Sequence, residues 1–288
     1  MNTNHELMET ENITIPVLAL RGLVIFPGMM LQFDVGRKKS ILALTKAMDE
    51  NQEIFLVAQK DLNDNEPTGD DLYRMGIVAK IKQVIRHSDD GIRLFAEGMY
   101  RAEISSIINE NPFILANVCP AKSKSYTETH KTQALIRFTQ TLFEEYIRNY
   151  SRIPPDIIIG VVQKKNCGEL ADYITSNIML DYEEKQIILE ELHPVKRLEK
   201  LIDILKNEIQ VLSLESKITE KAREQIDQNQ REYYLREQMK AIASELGDDD
   251  NPQSEAEELR ERIAKMKLPK LQNDKLLKEC DRLCKMPY

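Results

Sequence analysis

Apolar positions along the chain follow two periods, and the change from one to the other falls near residue 120. Before it, short apolar stretches alternate with turn signals. Ile13 to Leu20 reads as a strand, followed by Arg21-Gly22. Val24-Ile-Phe26 runs into the turn dipeptide Pro27-Gly28, and Met29 to Val35 reads as the next strand. Residues 38–51 carry Ile41, Leu42, Leu44, Ala47 and Met48 at helical spacing. Ile54 to Ala58 reads as a buried strand, and residues 61–71 as a polar loop. Strict alternation marks Ile77, Ala79 and Ile81 against Lys80 and Lys82, then Ile92, Leu94 and Ala96 against Arg93 and Glu97. Gly98 interrupts, after which Tyr100, Ala102 and Ile104 alternate with Arg101 and Glu103. A glycine inside a strand pattern predicts a bulge or a sharp bend. With Phe113 to Val118 as the last strand, the pattern predicts a compact, barrel-like β domain over 13–122. A flexible, polar N-terminus, 1–12, precedes it.

From about Thr127 the period is helical. Leu135, Phe138, Leu142, Phe143 and Tyr146 line one face of a helix that stops before Pro154-Pro155. Shorter helices follow through 157–162, 170–178 and 182–192, completing a helical bundle over 123–193. Asp181 with Glu184 has the form of a capping box. Residues 195–246 hold neither Gly nor Pro, and Pro194 suits a first helical turn. A stalk helix over 194–247 is predicted, its ~52-residue Gly- and Pro-free run about 78 Å long at ~1.5 Å per residue. Leu198, Ile202, Leu205, Ile209 and Leu212 repeat as in a coiled-coil seam, which predicts weak self-association. The middle is polar, and Leu235, Met239, Ile242 and Leu246 restore an apolar end. Such a helix bridges two bodies or lies beside a partner chain. After Gly247 and Asp248-Asp-Asp250, residues 248–288 form a linker and further charged helices.

Composition narrows the function classes. The 288 residues hold 40 Lys+Arg against 48 Asp+Glu, a net charge of −8, which argues against a general phosphate-backbone binder. Four cysteines are too few for a disulfide framework, and Cys280 with Cys284 lacks a third ligand nearby, so free thiols are expected and no metal. The acidic N-terminus does not read as a signal peptide, and no apolar run reaches the ~18 residues of a membrane span. A cytoplasmic protein without membrane contact is expected.

Catalytic patterns are missing from the sequence. No Gly is followed by Lys, which excludes a phosphate loop, and neither a Gly-x-Ser-x-Gly elbow nor His-Glu-x-x-His occurs. His5, His87, His130 and His193 share no segment. No catalytic, cofactor or metal residue is assigned. Two features suit binding instead. Phe26, Met29, Met30 and Phe33 flank the Pro27-Gly28 turn, either as core or as an adaptable greasy surface. Tyr233 and Tyr234 are adjacent on the long helix and cannot both face one core.

Several of these segments resemble the N-terminal region of the Lon family of ATP-dependent serine proteases. They include Ile15-Pro-Val-Leu-Ala-Leu-Arg21, Phe26-Pro-Gly28, Val35-Gly-Arg37 with Lys39-Ser40, Asp71-Leu-Tyr-Arg-Met-Gly76, Glu97-Gly98 and Arg101-Ala102. The most specific is Arg231-Glu-Tyr-Tyr-Leu-Arg-Glu-Gln-Met-Lys-Ala-Ile-Ala-Ser-Glu-Leu-Gly247, and Arg282-Leu with Met286-Pro287 resembles the approach to the ATPase module. Gln32 departs from the family, which often has Pro there.

The resemblance implies an α+β chain: a PUA-like small β-barrel, a helical bundle and a very long helix. It implies recognition of unfolded or damaged proteins and assembly of a hexamer, with ATP, Mg and the Ser-Lys protease site confined to modules that would follow residue 288. The chain is then expected to be a non-catalytic piece of a protease that degrades misfolded and regulatory proteins. Substrate contact is expected at Phe26, Met29, Met30, Tyr233 and Tyr234. A free-standing adaptor of the same fold is the alternative. An RNA binder is a third, disfavoured by the net charge and by the lack of a basic-aromatic motif.

Overall fold

The computed structural model describes residues 12–86, 92–150, 154–245, 252–266 and 270–283. The expectations for residues 1–11, Leu246 to Asp250 and Met286 to Tyr288 lie outside them. Two compact units are present, Met1–Leu214 and Glu215–Tyr288.

The first unit begins with β1 (Ile13–Leu20), β2 (Met30–Val35), α1 (Lys38–Asp49), β3 (Glu53–Ala58), β4 (Met75–Arg86), β5 (Ile92–Asn109) and β6 (Leu115–Pro120). They form one six-stranded sheet in the order β2-β5-β4-β3-β1-β6. Strand β6 also pairs back onto β5, so five strands close a ring while β2 rides outside it. Only β1 and β3 run parallel among these pairs, with α1 as the crossover between them. The expected barrel is therefore a distorted one, and β5 is the reason. Residues 92–97 of β5 pair with β2, and residues 102–109 pair with β6.

The change of neighbour is made at Gly98. Opposite β4, Val78 faces Tyr100 while Ala79 faces Gly98, so Met99 is an extra residue and the strand bulges. A bulge inverts which face a given parity of residue shows. Ile92, Leu94 and Ala96 join the larger core outside the ring, whereas Ala102 and Ile104 fill the smaller core within it. Strands β1 and β3 serve both cores by simple alternation: Val17, Phe55 and Val57 lie in the smaller, and Leu18, Leu20, Ile54 and Leu56 in the larger.

Against the outer core pack α2 (His130–Asn149), α3 (Pro155–Gln163), α4 (Cys167–Asn177), α5 (Tyr182–Glu190) and the start of α6 (Pro194–Glu245). Local signals set their beginnings. Thr129 and Thr132 cap α2 reciprocally, through N–H···Oγ1 distances of 2.9 and 3.3 Å. Asn166 Oδ1 accepts from the Gly168 and Glu169 amides at the start of α4. Pro155 occupies the first turn of α3, where its missing N–H costs nothing. Asp181 precedes α5, but its side chain makes no capping bond, so the expected box is not completed. Phe138 is exposed rather than facing the core, with Lys206 Nζ 5.5 Å from its ring centroid.

The seam on α6 also departs from expectation. Leu198, Leu201, Ile202, Leu205 and Ile209 are buried in the core of their own unit, and Leu212 packs against it. That surface is already covered, so it cannot support self-association. In the second unit α6 continues to Glu245, and α7 (Pro252–Lys265) packs on α8 (Lys270–Leu283), with Ile263 and Cys280 buried and Arg260 paired to Asp281.

Candidate functional site

Residues 26–29 form a turn with Pro27 and Gly28 at its centre. Gly28 has φ 76°, and the Met29 amide donates to the Phe26 carbonyl at 3.1 Å, the geometry of a type II turn. Proline presets the first central position and glycine supplies the left-handed second one. The turn is clasped to β5 by two bonds: Gly28 N–H donates to Gly98 O at 2.8 Å, and Gly98 N–H donates to Met29 O at 2.9 Å. Position 98 has no room for a side chain, because a Cβ there would lie 2.4 Å from the Phe26 carbonyl oxygen. Glycine thus allows the close approach, and the bulge beside it turns Met99 outward.

The consequence is an apolar rim. Met30 is 63% exposed and Met99 45% exposed. Met30 lies on the outward row of β2 with Gln32 and Asp34, an apolar side chain where the strand otherwise presents polar ones. Leu23, on the preceding loop, is also exposed, but it lies toward the other end of β2, beside Phe33 and Asp34. The expectation for Phe26 is corrected: it is 1% exposed, a core residue with the Arg101 guanidinium 5.9 Å from its ring centroid. Met29 is half-buried and packs on the same core. Of the five expected contact residues, three therefore meet at one turn, and only Met30 there is fully open.

Beside the rim lies a cleft of ≈ 770 Å³, walled by Pro27, Met99, Arg101, Lys122, Lys124 and Arg197 among others. Its floor is a buried ion cluster. Arg101 makes a bidentate pair with Asp172, at 2.8 and 2.7 Å, and its Nε donates to Leu189 O at 2.9 Å. Arg197 reaches the same carboxylate at 3.1–3.2 Å, donates through Nε to Glu191 O at 2.7 Å and through Nη2 to Ser123 Oγ at 3.2 Å. One carboxylate on α4 thus ties β5 to α6, and two backbone carbonyls at the C-terminal end of α5, Leu189 O and Glu191 O, complete the clamp. Burial lowers the Arg197 pKa from its ordinary value; the attraction of Asp172 opposes this and the charge of Arg101 adds to it. Sequence pattern concealed the cluster. Arg101 alternates with Ala102 as an outward residue would, and its partners lie 71 and 88 positions away.

Tyr233 and Tyr234 belong to the second unit, both exposed, beside an open hollow lined by Asp227, Asn229, Gln230 and Arg231. Tyr234 Oη accepts from Gln238 Nε2 at 3.0 Å. Cys119, Cys167 and Cys280 are free thiols, and burial pushes the Cys167 thiol up. Among the described residues no group of His, Cys, Asp and Glu could hold a metal, and no helix is long and apolar enough to cross a membrane.

Three comparisons bear on this geometry. Residues 14–207 match the family model of the ATP-dependent protease La (LON) substrate-binding domain. Similar proteins include the Lon protease of Heliobacterium modesticaldum, 41% identical over 273 residues, and that of Syntrophomonas wolfei, 42% identical over 273 residues. Each alignment covers 95% of this chain and 34% of the relative, so the chain spans about a third of the length of the curated relatives it matches. Among solved structures, the N-terminal domain of a Mycobacterium avium complex Lon protease matches with a TM-score of 0.55 at 23% identity, covering 67% of this chain and 98% of that one. That likeness speaks to the fold: a mixed sheet followed by helices.

Proposed function

On the premise that this chain belongs to the family of the ATP-dependent protease La (LON) substrate-binding domain, we propose that it holds polypeptide substrates on the apolar rim formed by Met30 and Met99. The observation carrying this reading is the exposure of two methionines side by side with a turn that is itself rigidly clasped to the sheet. Unfolded polypeptides share exposed apolar segments and little else. A receptor for them gains from side chains that are apolar, flexible and polarizable, mounted on a fixed backbone. Met29 anchors the turn from below, and Phe26 supports it from the core. Tyr233 and Tyr234 offer a second, more polar surface that a long substrate would reach separately.

The same proposal places the chain in a longer ATP-dependent serine protease of the cytoplasm that assembles as a hexamer. Nucleotide, Mg and peptide cleavage are assigned to other segments, and no cofactor to this one. Support comes from the relatives, which are Lon proteases matched over 34% of their length.

The test is the double variant Met30→Ser with Met99→Ser. Each methionine contributes on the order of 1 kcal/mol when half covered, so affinity for a chemically denatured model protein should fall about tenfold or more. The thermal melt should hold, because both side chains are exposed. Phe26→Ser should instead lower the melt sharply. Unchanged affinity in the double variant would reject the rim.

A further inference from the structure

We propose that the cleft beside the rim is an acceptor for acidic side chains, so that this chain prefers apolar substrate segments flanked by Asp or Glu. The inference rests on the reading of the rim as the polypeptide site and extends it to a sequence preference.

Continuity is the first argument. Met99 of the rim and Pro27 of the turn beside it both line the cleft, so a segment seated on Met99 continues into the cleft without a gap. Charge is the second. The cleft is lined by Arg101, Lys122, Lys124 and Arg197 against Asp172 and Glu169, an excess of positive charge in a chain whose net charge is −8. At its floor two guanidiniums share the single Asp172 carboxylate. Glu169 is drawn toward Lys164, 3.4 Å away. Helix ends add to this, as the starts of α4, at Asn166 and Gly168, and of α6, at Pro194 and Arg197, line the same cleft. The first turn of α6 carries no acidic residue to balance its end. Helix N-termini favour negative charge, and a walled cleft screens it less than open solvent does.

Lys122 and Lys124 are exposed at the mouth and meet an incoming carboxylate first. A basic flank would be repelled by the same groups, which gives discrimination as well as attraction. A nucleic acid is the poorer occupant. Its continuous phosphates would meet Asp172, Glu169 and an acidic chain, and it offers nothing to the rim.

The experiment uses the 288-residue chain and fluorescence anisotropy with two labelled peptides. They share one apolar core, one ending in Asp-Glu and the other in Asn-Gln. The acidic peptide should bind about fivefold tighter at low salt, the scale of two partly exposed charge contacts. The preference should vanish in Lys122→Glu with Lys124→Glu, whose melt should match the parent's because both side chains are exposed, and at salt of about 0.5 M. Equal binding of both peptides would overturn the acidic preference while leaving the rim standing. A preference that survives the lysine reversals would overturn its placement in this cleft. Failure of both peptides to bind would sink the rim reading itself.

Discussion

The two ends of α6 carry apolar residues at similar spacing, Leu198, Ile202 and Leu205 against Leu235, Met239 and Ile242, and meet different fates. In the first unit Leu198, Leu201, Ile202, Leu205 and Ile209 are sealed by the bundle, and Arg197 is 1% exposed. Past Leu214, the side chains of Ile218, Ile226, Leu235, Met239 and Ile242 are all exposed. An apolar row on a helix states that a face can be covered, and says nothing about what covers it. What distinguishes the first half is a set of neighbours that also satisfy its polar groups. The Asp172 clamp fixes the register of α6 against β5 and α4 before any leucine is counted.

The comparison can be broken most forcefully at that clamp. Asp172→Ala leaves two buried guanidiniums without a counter-ion and should cost about 3–5 kcal/mol, read as a large drop in the denaturant midpoint. Leu205→Ala should cost about 2–5 kcal/mol through lost burial and a cavity. A matching change at an exposed position, Leu235→Ala, should stay within about 0.5 kcal/mol. If Leu235→Ala proved as costly as Leu205→Ala, the contrast between the halves would be wrong.

A smaller effect sharpens the picture near the clamp. Glu191 is partly buried, which by itself raises its pKa, but the His193 amide and Lys200 more than offset this and hold the carboxyl below its ordinary value. A depressed folded-state pKa contributes stability above the unfolded value and loses it as pH falls through the folded one. The advantage of the native chain over Glu191→Gln should therefore be present at neutral pH. It should disappear below the ordinary carboxylate range, as melts across a pH series would show.

Local signals in the sequence were enough for the elements. Short apolar runs located β1 and β3, alternation located β4 and β5, the Gly98 interruption announced the bulge, and the Gly- and Pro-free run gave α6. Burial at the site was not legible in the same way. Phe26 and Met30 are four residues apart in one greasy stretch, yet the clasp to Gly98 sends one into the core and leaves the other in solvent. Met99 falls on the outward parity of Arg93 and Glu97, but alternation alone does not mark an outward residue as part of a site; its place beside the turn follows from the Gly98 clasp. The ion cluster was invisible for a third reason: its members lie on β5, α4 and α6, and no spacing joins them. One hint was present. Asp172 interrupts the apolar run of Leu170, Ala171 and Ile174, and a buried acid on a packed helix requires a cation somewhere in the fold.

Methionine-methyl NMR tests the central claim most directly, because the chain carries its own reporters. Met30 and Met99 are exposed on the rim, Met75 is buried in the core, and Met239 is exposed on the second unit. On addition of a denatured model protein, the Met30 and Met99 methyl signals should shift or broaden while Met75 stays in place. Rim signals that remain unmoved while Met239 responds, or that remain unmoved under demonstrated binding, would contradict the account.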